Sequence, residues 1–189
     1  MIKDLIRENR SCRRFYQDVP VEKKTLEDLI DLARWSASAS NIQPLKYILC
    51  NDPEKNAVMF QQLGFAGRLK DWPGPDEGER PAAYIIILLD TGISKNPFCD
   101  HGIAAQSILL GAREAGLAGC MHGSFKKEPI IELFDIAPEY EIALVISLGK
   151  PKETIVLEDI VPGGDIAYYR DRNDVHHVPK RTLEEIILK

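Results

Sequence analysis

Nowhere in its 189 residues does the chain come near the roughly 20 consecutive apolar residues that a membrane-spanning helix needs. No apolar leader follows Met1 either, because Lys3, Asp4, Arg7 and Glu8 interrupt the segment. The chain is therefore expected to be soluble and cytoplasmic. Basic excess is missing too. With 24 Lys and Arg against 29 Asp and Glu, the net charge is −5, which argues against a general nucleic-acid binder. Cysteine is scarce. Cys12, Cys50, Cys99 and Cys120 lie far apart with no C-x-x-C pair, a spacing that supports neither a zinc nor an iron–sulfur site. Reduced thiols in an intracellular protein are the simplest reading. His176 and His177 are adjacent, and neighbours on an extended chain point to opposite faces, so no metal pair is expected there. The G-x-G-x-x-G dinucleotide fingerprint, any nucleophilic triad and any paired-carboxylate motif are likewise missing. Without internal repeats or a recognisable linker, residues 1–189 read as one domain.

What is present alternates between helical and extended patterns. Ile2, Leu5 and Ile6 form a short helical stripe. Leu26, Leu29, Ile30, Ala33 and Ala37 repeat at helical spacing, with a capping-box-like start from Thr25 to Asp28. Tyr47 to Cys50 reads as a strand. Ala82 to Leu89 and Ala143 to Leu148 read as strands buried on both faces. Asp100 to Ala115 predicts a long helix apolar over more than one face, which the fold, or the fold plus a partner, must cover. Pro129 opens a helix through Phe134, and Thr182 to Glu185 starts a last short one with a capping-box pattern. The turn-rich stretch from Gly67 to Arg80 and residues 151–180 show no periodicity, as expected of lids, arms or interfaces.

Four segments carry chemistry. Asn9-Arg10-Ser11-Cys12-Arg13-Arg14-Phe15 places three arginines and a hydroxyl within five residues. Arginine forks match phosphate oxygens, though taken alone the segment fits a solvated turn equally well. Cys12 stands among these arginines, which favour the thiolate, but a structural role is favoured because free cysteines are usually buried. Ser36-Ala37-Ser38-Ala39-Ser40-Asn41-Ile42-Gln43-Pro44 offers hydroxyls and amides suited to the polar edge of a flat heterocycle, or simply to a helix C-cap and loop. Gly116 to Phe125 is glycine-rich and contains Met121, His122, Gly123 and Ser124. Pro179-Lys180-Arg181 puts two cations before a helix start, where the macrodipole asks for a compensating anion.

Together, in this order and across residues 9–181, the four segments resemble the FMN-dependent nitroreductase family. The resemblance implies an α+β sandwich, with a central, mainly antiparallel sheet flanked by helices, in a domain-interlocked homodimer. It implies that Arg10, Ser11, Arg13, Lys180 and Arg181 hold the FMN phosphate. Ala37, Ser38, Ala39 and Ser40, contributed by the other subunit, would line the isoalloxazine or ribityl chain. Met121, His122, Gly123 and Ser124 would lie beside the ring, with the backbone of Gly123 and Ser124 near flavin N5. Arg14 falls out of step and points elsewhere. Asn9, Ala37 and Leu45 depart from the family's usual arginine, proline and tryptophan. The implied activity is a ping-pong oxidoreductase in which NADH or NADPH reduces FMN and a nitroaromatic, quinone or similar acceptor reoxidises it. No catalytic side chain is required, because the flavin carries the redox chemistry. The Phe65–Arg80 stretch is the candidate lid. His122 invites a proton-donor role only because its ordinary pKa is near neutrality. The alternatives are a specialised relative (flavin fragmentation, dehalogenation or dehydrogenation), a non-turnover flavin-binding sensor, or an interaction protein without flavin.

Overall fold

The computed structural model describes residues 2–69 and 71–188. Along the chain lie α1 (Ile2–Glu8), β1 (Phe15–Tyr16), α2 (Lys23–Arg34), β2 (Leu45–Cys50), α3 (Pro53–Phe60), β3 (Ala83–Asp90) and α4 (Asp100–Glu114). There follow β4 (Ala118–His122), α5 (Lys127–Phe134), β5 (Tyr140–Pro151), β6 (Ile155–Asp159), β7 (Tyr169–Arg170), β8 (His176–Lys180) and α6 (Leu183–Ile186). A 3₁₀ turn at Ala39–Asn41 separates α2 from β2.

The main sheet is antiparallel throughout. β3 lies between β2 and β5, β4 pairs the other side of β5, and β1 pairs the far end of β5. Strand alternation decides what each face carries. Ile85, Ile87, Ile146 and Leu148 meet Leu26, Leu29 and Ala33 of α2, and Ala105, Ile108 and Ala112 of α4. Tyr84, Ile86, Leu88 and Val145 face Met59 of α3 and Ile130 of α5. Helices thus cover both faces, which is why β3 is a nearly unbroken apolar run rather than an alternating one. Each fully buried isoleucine contributes roughly 1.5–3 kcal/mol, so this three-layer core dominates the stability.

Four local expectations are revised. α2 begins at Lys23, before Thr25, with no side-chain cap; Lys23–Glu27 and Lys24–Asp28 pairs support its first turns instead. It ends at Arg34, so Ala37 lies outside it. Residues 118–122 of the glycine-rich segment are strand β4, and Gly123 to Lys126 form the exit toward α5. Gly119 is what lets this strand fit, since a Cβ there would sit 2.5 Å from the Ser147 carbonyl oxygen and 2.7 Å from Leu109. Residues 151–180, expected to be irregular, hold a second sheet of β6, β8 and β7, with β6 parallel and β7 antiparallel to β8. Its strands are two to five residues long, too short for a two-residue period to stand out.

Other expectations hold with adjustments. α5 starts at Lys127, and Pro129 sits in its first turn, where a missing N–H costs little. At α6 half of the capping box forms. The Thr182 N–H donates to Glu185 Oε2 (3.3 Å), while the Thr182 hydroxyl has no partner among the described residues. No helix among the described residues is long and apolar enough to cross a membrane.

Candidate flavin site

The segment after α1 is pinned beside β4. Ser11 forms a parallel bridge with Gly119, and the Cys12 N–H donates to the Gly119 carbonyl at 3.0 Å. Strand β8 approaches from the small sheet. Its residues two apart share a face, so His176, Val178 and Lys180 turn the same way. With Asn9, Arg10, Ser11, Arg13, Gln106, Leu109, Met121 and Tyr168 they line a groove of about 290 Å³. No aspartate or glutamate is among its lining residues.

Its cations are held in place by different means. Arg10 donates through Nε to the Asn9 carbonyl (2.5 Å) and through Nη2 to the Ile6 carbonyl (2.8 Å), capping the C-terminal end of α1. Arg13 is buried, with its backbone N–H on Glu153 Oε2 (2.8 Å). Its guanidinium donates to the Ser11 carbonyl (3.2 Å), faces His176 Nε2 at 3.4 Å and lies 5.1 Å from the Tyr168 ring centre. Partial burial lowers the Lys180 pKa, and the positive charge of Arg10 lowers it further. His176 is also shifted down, by burial and by the guanidinium groups of Arg13 and Arg170, against the pull of Glu153. The neutral imidazole therefore faces Arg13 and accepts from it at Nε2. The groove thus gathers three cations with no carboxylate in its lining.

Arg14 points away, as its displaced position in the motif implies. It pairs with Glu79 and Asp174, and Glu79 also meets Lys152 at 2.9 Å. The thiol of Cys12 is buried and pushed up to about 12 by desolvation, with Glu153 adding to the rise, so the nearby arginines do not make it reactive.

A second cleft, of about 300 Å³, lies near the start of α4. Ala37, Ser38, Gln43, Leu45, Tyr47, Asp100 and Ala104 are among its lining residues. Arg10, Ser11, Arg13, Met121 and Lys180 thus meet in one groove, whereas Ala37 and Ser38 belong to another. Ala39 and Ser40 stand on the same loop as Ser38 without lining either cleft. Arg181 is turned to Glu185 (3.1 Å) rather than into the groove. Gly123 and Ser124 are exposed at the end of β4, and a Cβ on Gly123 would meet nothing within 4 Å.

His122 lies on the opposite face of the sheet from Met121, because consecutive strand residues alternate. Its ring is 3% exposed, with Nε2 2.9 Å from Ser147 Oγ and Nδ1 3.2 Å from the Gly64 carbonyl. Burial lowers its pKa to about 4. A neutral, enclosed imidazole of this kind braces the sheet. Five groove residues escaped the sequence reading: Gln106, Leu109, Tyr168, His176 and Val178. The period-two spacing of His176, Val178 and Lys180 was the available signal, but it is legible only once residues 176–180 are known to be a strand.

The Phe65–Arg80 segment, apart from Lys70, which lies outside the described residues, reaches the small sheet. The Arg68 N–H donates to Tyr168 Oη (3.3 Å), Arg170 stacks on Trp72 at 4.1 Å, and Phe65 meets the His122 ring edge-on at 4.9 Å.

Comparison with known proteins places this geometry. The family model described as "Nitroreductase family" matches residues 6–150. A 4-nitrobenzoate reductase of Nocardioides sp. (strain LMS-CY) is 28% identical over 195 residues, covering 77% of this chain and 79% of the relative. A Cr(VI) reductase of Pseudomonas sp. (strain G-1) is 25% identical over 198 residues, covering 92% and 76%. Among solved structures, an FMN-dependent nitroreductase from Clostridium difficile R20291 superposes with a TM-score of 0.65 at 25% identity, covering 81% of this chain and 88% of that one. The antiparallel sheet between helix layers is the fold these proteins share, the family match spans most of the sequence, and the chain belongs to the nitroreductase family of NAD(P)H-dependent oxidoreductases.

Proposed function

We propose that the chain is an FMN-dependent oxidoreductase that uses NADH or NADPH to reduce nitroaromatic, quinone or similar electron-poor acceptors. The observation that carries this reading is the convergence of Arg10, Arg13 and Lys180 on one groove with no acidic residue in its lining. Burial, and then the positive charge of Arg10, lower the Lys180 pKa, so the Lys180 ammonium lacks a compensating partner there. A phosphate monoester relieves that repulsion and takes charge-assisted hydrogen bonds from arginine forks. The donor set therefore fits the phosphate end of FMN. Arg10 and Arg13 would hold the phosphate oxygens, Ser11 and Gln106 would add neutral donors, and Lys180 would close the far side. Bound FMN would supply two-electron chemistry in a ping-pong cycle, accepting from the nicotinamide and donating to the second substrate. The chain's own part is to anchor, orient and shield. Gly123, open on its Cα side, would leave room for close approach of the ring, with the backbone of Ser124 beside it, and the Phe65–Arg80 segment is the candidate lid.

The second cleft supports a two-subunit site. Ser38–Ser40 do not line the cationic groove of their own chain, which accords with that loop serving the flavin of a partner in a homodimer. The test is the visible spectrum of the purified protein with added FMN, recorded without oxygen before and after NADH or NADPH. Bound flavin that bleaches is the expected outcome. Bound flavin that stays oxidised with both donors would favour a sensor. Failure to bind FMN would overturn the assignment of Arg10, Arg13 and Lys180.

A further inference from the structure

The loop after α2 is held in an unfavourable backbone conformation. Ser40, Asn41 and Gln43 have φ of 50°, 55° and 55°, a left-handed region that side chains other than glycine rarely occupy. Such geometry persists only where surrounding contacts over-determine it. Local bonds do part of this, with the Asn41 N–H on the Ser38 carbonyl (2.9 Å) and the Ile42 N–H on the Ala39 carbonyl (3.1 Å). The tie from outside is Asp100, 3% exposed in the first turn of α4. Its Oδ2 accepts from Ser38 Oγ (2.5 Å) and its Oδ1 from the Ala39 N–H (3.0 Å). The Ser38 hydroxyl in turn accepts the Gln43 N–H at 2.9 Å, so one carboxylate closes a hydrogen-bond chain across the base of the loop. The other side of that connection is rigid, because α4 packs into the core through Ala104, Ala105 and Ile108 and lends Gln106 and Leu109 to the cationic groove.

We infer that Asp100 is a positioning residue, fixing Ser38–Ser40 in the one arrangement that presents their hydroxyls and backbone to the flavin ring. The inference rests on the FMN reading above. Asp100 spends both carboxylate oxygens on the loop, Oδ2 on Ser38 and Oδ1 on Ala39. It acts through Ser38 and Ala39, and links the loop to the same helix that borders the phosphate groove.

The experiment compares the wild-type protein with Asp100→Asn, Asp100→Ala and Ser38→Ala. It measures FMN affinity, visible circular dichroism of the bound flavin, and kcat and KM for 4-nitrobenzoate with NADH. Asp100→Ala should keep its FMN affinity within about threefold, since the phosphate groove is intact. It should lose about 10- to 100-fold in kcat/KM through misplacement of the loop, and its flavin dichroism should change. Asp100→Asn, which can still accept from Ala39, should recover part of the loss. Ser38→Ala should produce the same spectral change, and combining it with Asp100→Asn should add little more. If Asp100→Ala does not fold, Ser38→Ala, on the half-buried loop, carries the same spectral test. Variants that bind FMN with unaltered dichroism and unaltered kcat/KM would overturn the inference while leaving the FMN reading intact. Failure of the wild-type protein to bind FMN would overturn that reading and the inference with it.

Discussion

Single side chains separate groove-lining from ion-paired cations in this protein. Arg10 and Arg14 stand four positions apart, yet one lines the groove and the other is spent on Glu79 and Asp174. Arg10→Ala should weaken FMN binding about 10- to 100-fold, the scale of hydrogen bonds to a charged group. Arg14→Ala should leave FMN affinity nearly unchanged and lower stability by about 1 kcal/mol. Titration calorimetry beside urea unfolding distinguishes the two. His122 carries a different prediction. Its pKa is lowered from 6.5 to about 4 in the fold, so between those values the unfolded chain binds more protons than the native one. Stability should therefore rise with pH from about 4 to 6.5, a contribution on the order of 3 kcal/mol, and His122→Gln should flatten the slope. Equal pH profiles for the two proteins would show that His122 is not held neutral. At this scale much of the groove was legible: Arg10, Ser11, Arg13, Met121 and Lys180 come together as the motifs imply. The side-chain direction of His122 was not, because a motif fixes position along the chain and only the strand register fixes the face.

Elements were legible where their hydrophobic pattern is long. β3, β5 and α4 fall where their apolar runs place them, since burial on both faces or along a broad stripe leaves an unmistakable signature. β6 and β8 were invisible because each residue of this parallel pair of five-residue strands meets a partner 21 positions away, and sequence spacing says nothing of that pairing. Two glycines test the packing around α4, Gly119 where the sheet meets it and Gly111 where α2 does. At Gly119→Ala the new methyl meets the Ser147 backbone oxygen, which cannot yield, so a loss of roughly 1–3 kcal/mol is expected. At Gly111→Ala the clash is with the end of the Leu32 side chain, half in solvent and free to swing, and helix propensity gains about 1 kcal/mol. Gly111→Ala should therefore fall within about 1 kcal/mol of wild type in urea denaturation. Matching losses at both sites would mean that Leu32 is fixed by something further, a partner subunit foremost.

At the scale of the whole molecule, apolar surface is unevenly distributed. Ile2, Ile6, Leu32 and Trp35 are exposed near α1, α2 and α4, while Leu183, Ile186, Ile187 and Leu188 are exposed at the other end of the chain. A second copy covering these residues would take them out of water, and sedimentation equilibrium at micromolar concentration should return a dimer. A monomer there would sink the two-subunit site. The sequence conveyed the family and the layered architecture, but not which surfaces meet, because an exposed isoleucine and a buried one look alike in a one-dimensional pattern. The contact between Trp72 and Arg170 has a practical consequence. The Arg170 Nη2 holds Glu153 Oε1 at 2.5 Å, and Glu153 Oε2 accepts the Arg13 N–H, so only two side chains separate an indole from the cationic groove. The chain has just one other tryptophan, Trp35, exposed at the end of α2. With Trp35 replaced by phenylalanine, the protein becomes its own single-fluorophore sensor. Its emission would follow occupancy of the groove in real time, with no label attached.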